Sequence, residues 1–339
     1  MNAIETHALE KSFRGKRAVR DLELTVGRGE IYGFIGKNGS GKSTTMKIIA
    51  GLVPASSGEV RVLGSALAPC EAHPAIGTLI ESPSIYPNLS AFDNLMVKAL
   101  ALGLVDARRT CHELLETVDL ADTGKQKAKR FSMGMKQRLG IALALMGDPS
   151  ILLLDEPLNG LDPDAARSIR TLIVRLNRER GVTVLISSHV LDQLERMCTV
   201  YGIIRGGHIV RELTAAEVEE ECASYLALRC SEPARALATL NESLPGARIA
   251  LMPDDTLRLD GVTDTASVGE VLMSEGIAVT ELTRTEGDRE AFFVELMGGH
   301  DVEEPPAPAR GIPGGRAVNG FGRKGGGTHA TGRENRKGR

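Results

Sequence analysis

Short apolar runs separated by turn residues organise the first two-thirds of the chain. Ile31–Ile35, residues 151–154 and residues 182–187 are apolar or β-branched almost throughout, and each leads into a segment with helix-start residues. Runs without polar alternation predict strands buried on both faces. Residues 77–80 predict another strand, and residues 43–50 and 135–146 predict helices. Strands alternating with helices over residues 1–214 predict an α/β domain with a largely parallel sheet.

The pattern changes near residue 215. Tyr225–Cys230 and residues 247–252, 256–259 and 277–282 predict strands; residues 232–244, Thr265–Ser274 and residues 288–296 predict helices. Residues 215–299 therefore predict a small α+β module, without a recognisable motif. Residues 300–339 carry ten glycines, four prolines and eight basic against four acidic residues, with few apolar positions. Such a stretch buries too little surface to offset its chain entropy, and a disordered tail is expected.

Charge narrows the partners. Lys and Arg number 41 against 44 Asp and Glu, a net charge of −3, so no global positive field draws nucleic acid and no specific nucleic-acid partner is expected. The most apolar stretches, 141–146 and 151–154, fall far short of the roughly 20 residues a membrane-spanning helix needs. Residues 1–10 lack a basic segment followed by an apolar run, so no secretory signal is expected, and a cytosolic chain reaches a membrane through a partner. The five cysteines form no C-x-x-C pair, which favours free thiols over disulfides or a zinc site. Aromatics are 3% with no tryptophan, against an aromatic platform for carbohydrate or bases.

The strongest chemical feature is Gly36-Lys37-Asn38-Gly39-Ser40-Gly41-Lys42-Ser43-Thr44, which follows an apolar strand and opens a helix. Glycines let the loop curl so that backbone N–H groups point inward at phosphate oxygens. The helix N-terminus adds unpaired N–H groups and a positive dipole end. Lys42 then supplies a charge at the β- and γ-phosphates, and the Ser43 hydroxyl is placed to ligate Mg²⁺. Downstream, residues 151–154 end in Asp155-Glu156-Pro157. Adjacent carboxylates at the end of a buried strand call for a cation. Asp155 is placed to reach Mg²⁺, and Glu156 to orient or deprotonate a water that attacks the γ-phosphate.

The residues between and around these two motifs carry a resemblance. Phe131-Ser132-Met133-Gly134-Met135-Lys136-Gln137-Arg138, with Gly134 17 residues before Ile151, resembles the signature motif of ABC ATPases. Asn159-Gly160-Leu161-Asp162 looks like the family's D-loop, and Ser187-Ser188-His189 stands where the family has its switch histidine. Lys11-Ser12-Phe13-Arg14-Gly15 is similar to the A-loop. The resemblance implies a P-loop NTPase fold of ABC ATPase type with a helical subdomain. It implies that Phe13 stacks on adenine, that Gly36–Thr44 hold the triphosphate of ATP, and that Ser132 and Gly134 touch the γ-phosphate of ATP bound to another subunit. It further implies that Asp155 serves Mg²⁺, Glu156 acts on water, His189 bonds the γ-phosphate, and Asp162 bridges subunits. With one P-loop in the chain, a second ATPase subunit, identical or related, completes a head-to-tail dimer.

Two departures narrow the group. The signature is degenerate, with Phe131, Met133 and Met135 at family Leu, Gly and Gln positions, while Ser132 and Gly134 are kept. After strand 77–80, Glu81 stands where most members carry a metal-reaching glutamine, followed by Ile85-Tyr86-Pro87-Asn88-Leu89. A glutamate there is similar to the ATPases of bacitracin and lantibiotic immunity exporters, and implies that Glu81 coordinates Mg²⁺ while adding negative charge beside phosphate. Arg289-Glu290-Ala291-Phe292-Phe293-Val294-Glu295-Leu296-Met297-Gly298-Gly299 resembles the ending of that group.

The resemblance implies an ATP-hydrolysing subunit on the cytoplasmic face of a bacterial membrane, coupled through residues near 81–95 to a separate integral membrane permease. An antimicrobial peptide or another toxic compound is the expected cargo. Two alternatives stay open: a peptide-sensing ABC complex, and a soluble ABC ATPase acting on ribosomes or DNA, towards which the basic tail points.

Overall fold

The computed structural model describes residues 1–298 apart from 196 and 263. The tail expected over 300–339 lies outside the described residues, as does Gly299.

The chain opens with two long antiparallel strands, β1 (Asn2–Phe13) and β2 (Lys16–Gly27). Next come β3 (Ile31–Ile35), α1 (Lys42–Ile49), and the short strands β4 (Ser57–Val62), β5 (Ser65–Ala66) and β6 (Ile76–Leu79). Three helices follow: α2 (Ala91–Ala101), α3 (Ala107–Thr117) and α4 (Met133–Leu145). A capping box starts α2, with Ser90 Oγ accepting from Asp93 N at 3.1 Å while the Asp93 carboxylate accepts from Ser90 N at 3.3 Å. The α/β alternation resumes with β7 (Ile151–Asp155), α5 (Pro163–Arg180), β8 (Thr183–Ser188), β9 (Val200–Arg205) and β10 (His208–Thr214). Proline at the first position of α5 and Gly181 at φ 65° after its end mark both limits of that helix.

A six-stranded sheet in the order β10-β9-β3-β8-β7-β6 forms the centre. It is parallel from β9 to β6, with β10 antiparallel at one edge. Both faces are covered, which is why its strands read as unbroken apolar runs. Along β7, Leu152 and Leu154 pack with the helices, whereas Ile151 and Leu153 pack with the core beneath a second sheet. That second sheet, ordered β2-β1-β4-β5, is antiparallel throughout and adds a layer the apolar runs alone did not predict.

Beyond β10 the chain forms α6 (Ala215–Glu221), β11 (Tyr225–Cys230), α7 (Pro233–Ser243), β12 (Arg248–Leu251), β13 (Leu257–Asp260), α8 (Thr265–Ser274), β14 (Val279–Thr285) and α9 (Arg289–Leu296). Strands β11–β14 make their own antiparallel sheet in the order β12-β13-β11-β14. This is the split β-α-β-β-α-β arrangement. Leu226, Leu228, Leu257 and Leu259 on one sheet face bury against Leu240, Val268 and Leu272 of the two helices. The last helix, α9, packs elsewhere: its Phe293 is fully buried in the helix-side core of the central sheet.

Candidate active site

The sheet order brings the chemistry together. Strands β3, β8 and β7 are parallel neighbours, with Ile35 opposite Ser188 and Asp155 opposite Ser187. Their carboxyl ends therefore place the glycine loop, Ser187–His189 and Asp155-Glu156 side by side, where open α/β sheets bind ligands.

The loop after β3 is held by backbone bonds, from Gly36 N to Ser188 O at 3.3 Å and from Gly207 N to Ser40 O at 2.9 Å. Gly41 precedes α1 at φ 115°, and a Cβ there would lie 2.6 Å from Ala18 O. No side chain caps α1 and no acidic residue occupies its first turn. Its N–H groups and positive dipole end are thus kept for an anion. Lys42 is 4% exposed. Its Nζ donates to Gly36 O at 2.6 Å and stands 3.5 Å from Glu156 Oε1. Burial lowers the Lys42 pKa, opposed by the nearby Glu156 and Asp155 carboxylates.

A single hydroxyl organises the acids. Ser187 Oγ donates to Asp155 Oδ1 at 2.6 Å and accepts from Glu156 N at 2.9 Å. Glu156 sits at φ 49°, a left-handed conformation that costs free energy and turns its side chain out of the strand's line. His189 Nδ1 meets Glu156 Oε2 at 2.8 Å. With Nδ1 engaged, Nε2 is left for another partner.

Two buried polar atoms among the described residues have no hydrogen-bond partner, Ser40 Oγ and Glu156 Oε1. An unmade buried hydrogen bond costs about 1–3 kcal/mol. Ser40 Oγ lies at the phosphate loop and Glu156 Oε1, whose ion-pair contact is the Lys42 ammonium at 3.5 Å, on the facing acid, so the residues fit a polyphosphate and its attacking water. Among the described residues, no three His, Cys, Asp or Glu side chains gather to hold a metal. Asp155 and Ser43 are oxygen donors of the kind Mg²⁺ prefers, and such an ion takes its other ligands from phosphate and water.

The remaining expected residues lie around this centre. Phe13 ends β1, is 47% exposed and carries Lys11 Nζ 4.9 Å from its ring centroid. Glu81 follows β6 at φ 64°, and its exposed carboxylate is paired with Lys47 of α1. The helix expected from residue 135 begins earlier, at Met133, because Ser132 caps it by accepting from Met135 N at 3.2 Å. Asp162 caps α5 in the same way, accepting from Ala165 N at 2.8 Å. A Cβ on Gly134 would sit 3.0 Å from Ala165 Cβ, so the two helix starts abut. Among the described residues, no hydrogen bond or ion pair joins Ser132, Gly134 or Asp162 to Lys42, Asp155, Glu156 or His189. Sequence reasoning missed the parts played by Ser187 and Lys47. The signal for the first was present: hydroxyls ending an otherwise apolar strand.

A family model described as ABC transporter matches residues 19–159. The chain is 34% identical over 302 residues to the bacitracin transport ATP-binding protein BcrA of Bacillus licheniformis, covering 88% of this chain and 98% of that one. It is 41% identical over 204 residues to the lantibiotic transport ATP-binding protein SrtF of Streptococcus pyogenes, covering 60% and 87%. A solved dimeric structure of a bacterial ABC transporter cassette superposes with a TM-score of 0.57 at 27% identity, covering 62% of this chain and 98% of that one. With the phosphate loop, the paired acids and the histidine at the ends of adjacent parallel strands, this chain belongs to the ATP-binding proteins of ABC transporters.

Proposed function

We propose that this chain hydrolyses ATP to ADP and phosphate and so powers export of a peptide antibiotic of the bacitracin or lantibiotic kind through a separate membrane permease. The observation that carries the chemistry is the Ser187 bridge, which fixes Asp155 and Glu156 beside the buried Lys42. The cargo reading rests on the bacitracin and lantibiotic transport relatives.

The glycine loop and the start of α1 bind the triphosphate, and Phe13 stacks on the base. Ser43 and Asp155, with Glu81 from the segment after β6, would hold Mg²⁺, which would supply neutralisation of the charge developing on the phosphates. Phosphate oxygens draw Lys42 away from Glu156 Oε1. That oxygen is then free to take a proton from water as the water oxygen bonds to the γ-phosphorus and the bond to the β-phosphate oxygen breaks. His189 holds the other Glu156 oxygen and offers Nε2 to the γ-phosphate. Ser132 and Gly134 reach the nucleotide of a second copy in a head-to-tail dimer, with Asp162 at the joint. That no hydrogen bond or ion pair among the described residues joins them to the chain's own Lys42, Asp155, Glu156 or His189 supports this arrangement.

The chain works at the cytoplasmic face of the membrane. No helix among the described residues is long and apolar enough to cross it. A cleft of about 420 Å³ beside Glu81, lined by Leu52, Ile80, Tyr86 and Val97 together with the polar Ser82 and Asn94, supports contact with the permease there. Residues 1–214 carry the ATPase, and 215–299 form an accessory unit, with the tail beyond.

Glu156→Gln tests the assignment. ATP binding is expected to persist while turnover is lost and a dimer accumulates with ATP by size-exclusion chromatography. Wild-type turnover in that variant would remove Glu156 as the base.

A further inference from the structure

The segment that follows His189 is braced by the far end of the chain. After the β11–β14 sheet, the chain returns as α9 and inserts Phe293 into the core of the central sheet. Phe293 is fully buried and meets the Tyr201 ring edge-on, with centroids 5.7 Å apart. One turn earlier, Arg289 donates to Glu195 Oε1 at 2.6 Å. Glu195 belongs to the helical turn after His189, its N bonded to Leu191 O at 3.0 Å, and Leu194 beside it is fully buried. Ser188, directly before His189, is tied into the same turn, its Oγ accepting from Val190 N at 3.0 Å and lying 2.9 Å from Gln193 Oε1. A continuous path therefore runs from α9 through Glu195 and the turn to His189, and from His189 to Glu156.

The geometry points to Arg289 as a positioning residue for ATP hydrolysis: through Glu195 it holds the turn that sets His189 against Glu156, and makes turnover respond to the position of the β11–β14 unit. The proposal rests on the ATPase reading above and adds to it a control that acts within one chain. Arg289 suits the task because its charged fork keeps a fixed geometry on a carboxylate. Only the three residues 286–288 separate β14 from α9, so displacement of the β11–β14 sheet pulls directly on this contact. Of the two partners, Glu195 is on the switch side and Arg289 on the accessory side, and neither touches the phosphate loop.

The test uses the full chain and four forms: wild type, Arg289→Ala, Glu195→Ala, and the reversed pair Arg289→Glu with Glu195→Arg. Both side chains are about one-third exposed (35% and 30%), so the fold survives their loss. Each single variant is expected to lower kcat about two- to thirtyfold. KM for ATP should change less than about twofold, because ground-state binding is untouched. The reversed pair should recover most of the loss. Backbone hydrogen exchange across residues 187–195 without nucleotide should rise in the single variants and return in the reversed pair. Unchanged kcat and unchanged exchange would overturn the proposal, as would a kcat loss that the reversed pair fails to restore. A wild-type chain without ATP turnover would instead sink the ATPase reading, and the exchange measurement would still decide whether the brace exists.

Discussion

Glu81 and Lys47 form an ion pair that joins the segment after β6 to the helix of the phosphate loop. In the proposed site Glu81 adds negative charge near the triphosphate, and Lys47, in the last turn of α1, compensates it. The pair is exposed on the Glu81 side, 67% against 29% for Lys47, so its worth to stability is small, about 0–1 kcal/mol. Its proposed consequence is electrostatic, acting on nucleotide affinity.

Lys47→Ala should therefore weaken ATP binding severalfold with little change in the unfolding midpoint. Adding Glu81→Gln to that variant should restore affinity, since the uncompensated charge is gone. Equal affinities of the single and double variants, by equilibrium titration with a fluorescent nucleotide, would show that the pair does not shape the site.

Ser187 is fully buried and serves two partners with one hydroxyl. Ser187→Ala leaves Asp155 Oδ1 and Glu156 N without that bond, a loss of about 1–3 kcal/mol. The expected result is a kcat at least tenfold lower together with a reduced denaturation midpoint. Steady-state kinetics and urea unfolding on the same preparation check both.

How much of this was legible in the sequence follows from burial. Residues 31–35 and 151–155 are buried at every position, so their apolar runs read directly as strands. β1 escaped because its pattern is broken: the register shifts between Thr6 and Leu9, and Ala8 sits at φ 45°. A bulge removes the two-residue period that marks a strand. The phosphate loop, Asp155, Glu156 and His189 were legible because loop chemistry demands those residue types at fixed spacing. Lys47 pairs with Glu81 across 34 residues and Arg289 with Glu195 across 94, and no local pattern encodes such contacts.

Lys98 carries a pH prediction. Its Nζ donates to Leu143 O at 2.7 Å, and burial alone lowers its pKa from 10.5. The folded chain releases this proton more readily than the unfolded chain. Below the folded pKa the cost of burying the charge is present in full. As pH rises from the folded value towards 10.5, the unfolded state binds more protons and stability gains from this site. Lys98→Met lacks that gain. The stability difference between the two proteins should move in the wild type's favour as pH rises from neutral to 10.5, read by urea unfolding at each pH. A constant difference would assign Lys98 an ordinary pKa.

Gly41 cannot accept a side chain. Its φ of 115° is outside the range of L residues, and a Cβ would stand 2.6 Å from the Ala18 carbonyl oxygen, a backbone atom. Gly41→Ala should reshape the loop and raise the Kd for ATP by roughly a hundredfold, or about 2.7 kcal/mol. The fold should remain, because α1 is anchored by buried Met46 and Ile49. Calorimetric titration with circular dichroism separates loss of binding from loss of fold.

Phe13 offers the clearest separation of binding from catalysis. It ends β1 with half its ring exposed, so removing it takes little from the core. Lys11 stands near the ring, its own Nζ donating to Pro54 O at 2.5 Å, which keeps the cation beside the ring. Stacking a base on an aromatic side chain is worth about 1–3 kcal/mol by alanine substitution. Phe13→Ala should raise the Kd for ATP about five- to a hundredfold while leaving kcat at saturating ATP within about twofold. Phe13→Tyr should bind as the wild type does. A kcat loss at saturation with an unchanged Kd would place Phe13 away from adenine and return it to a structural part in the β1–β2 hairpin.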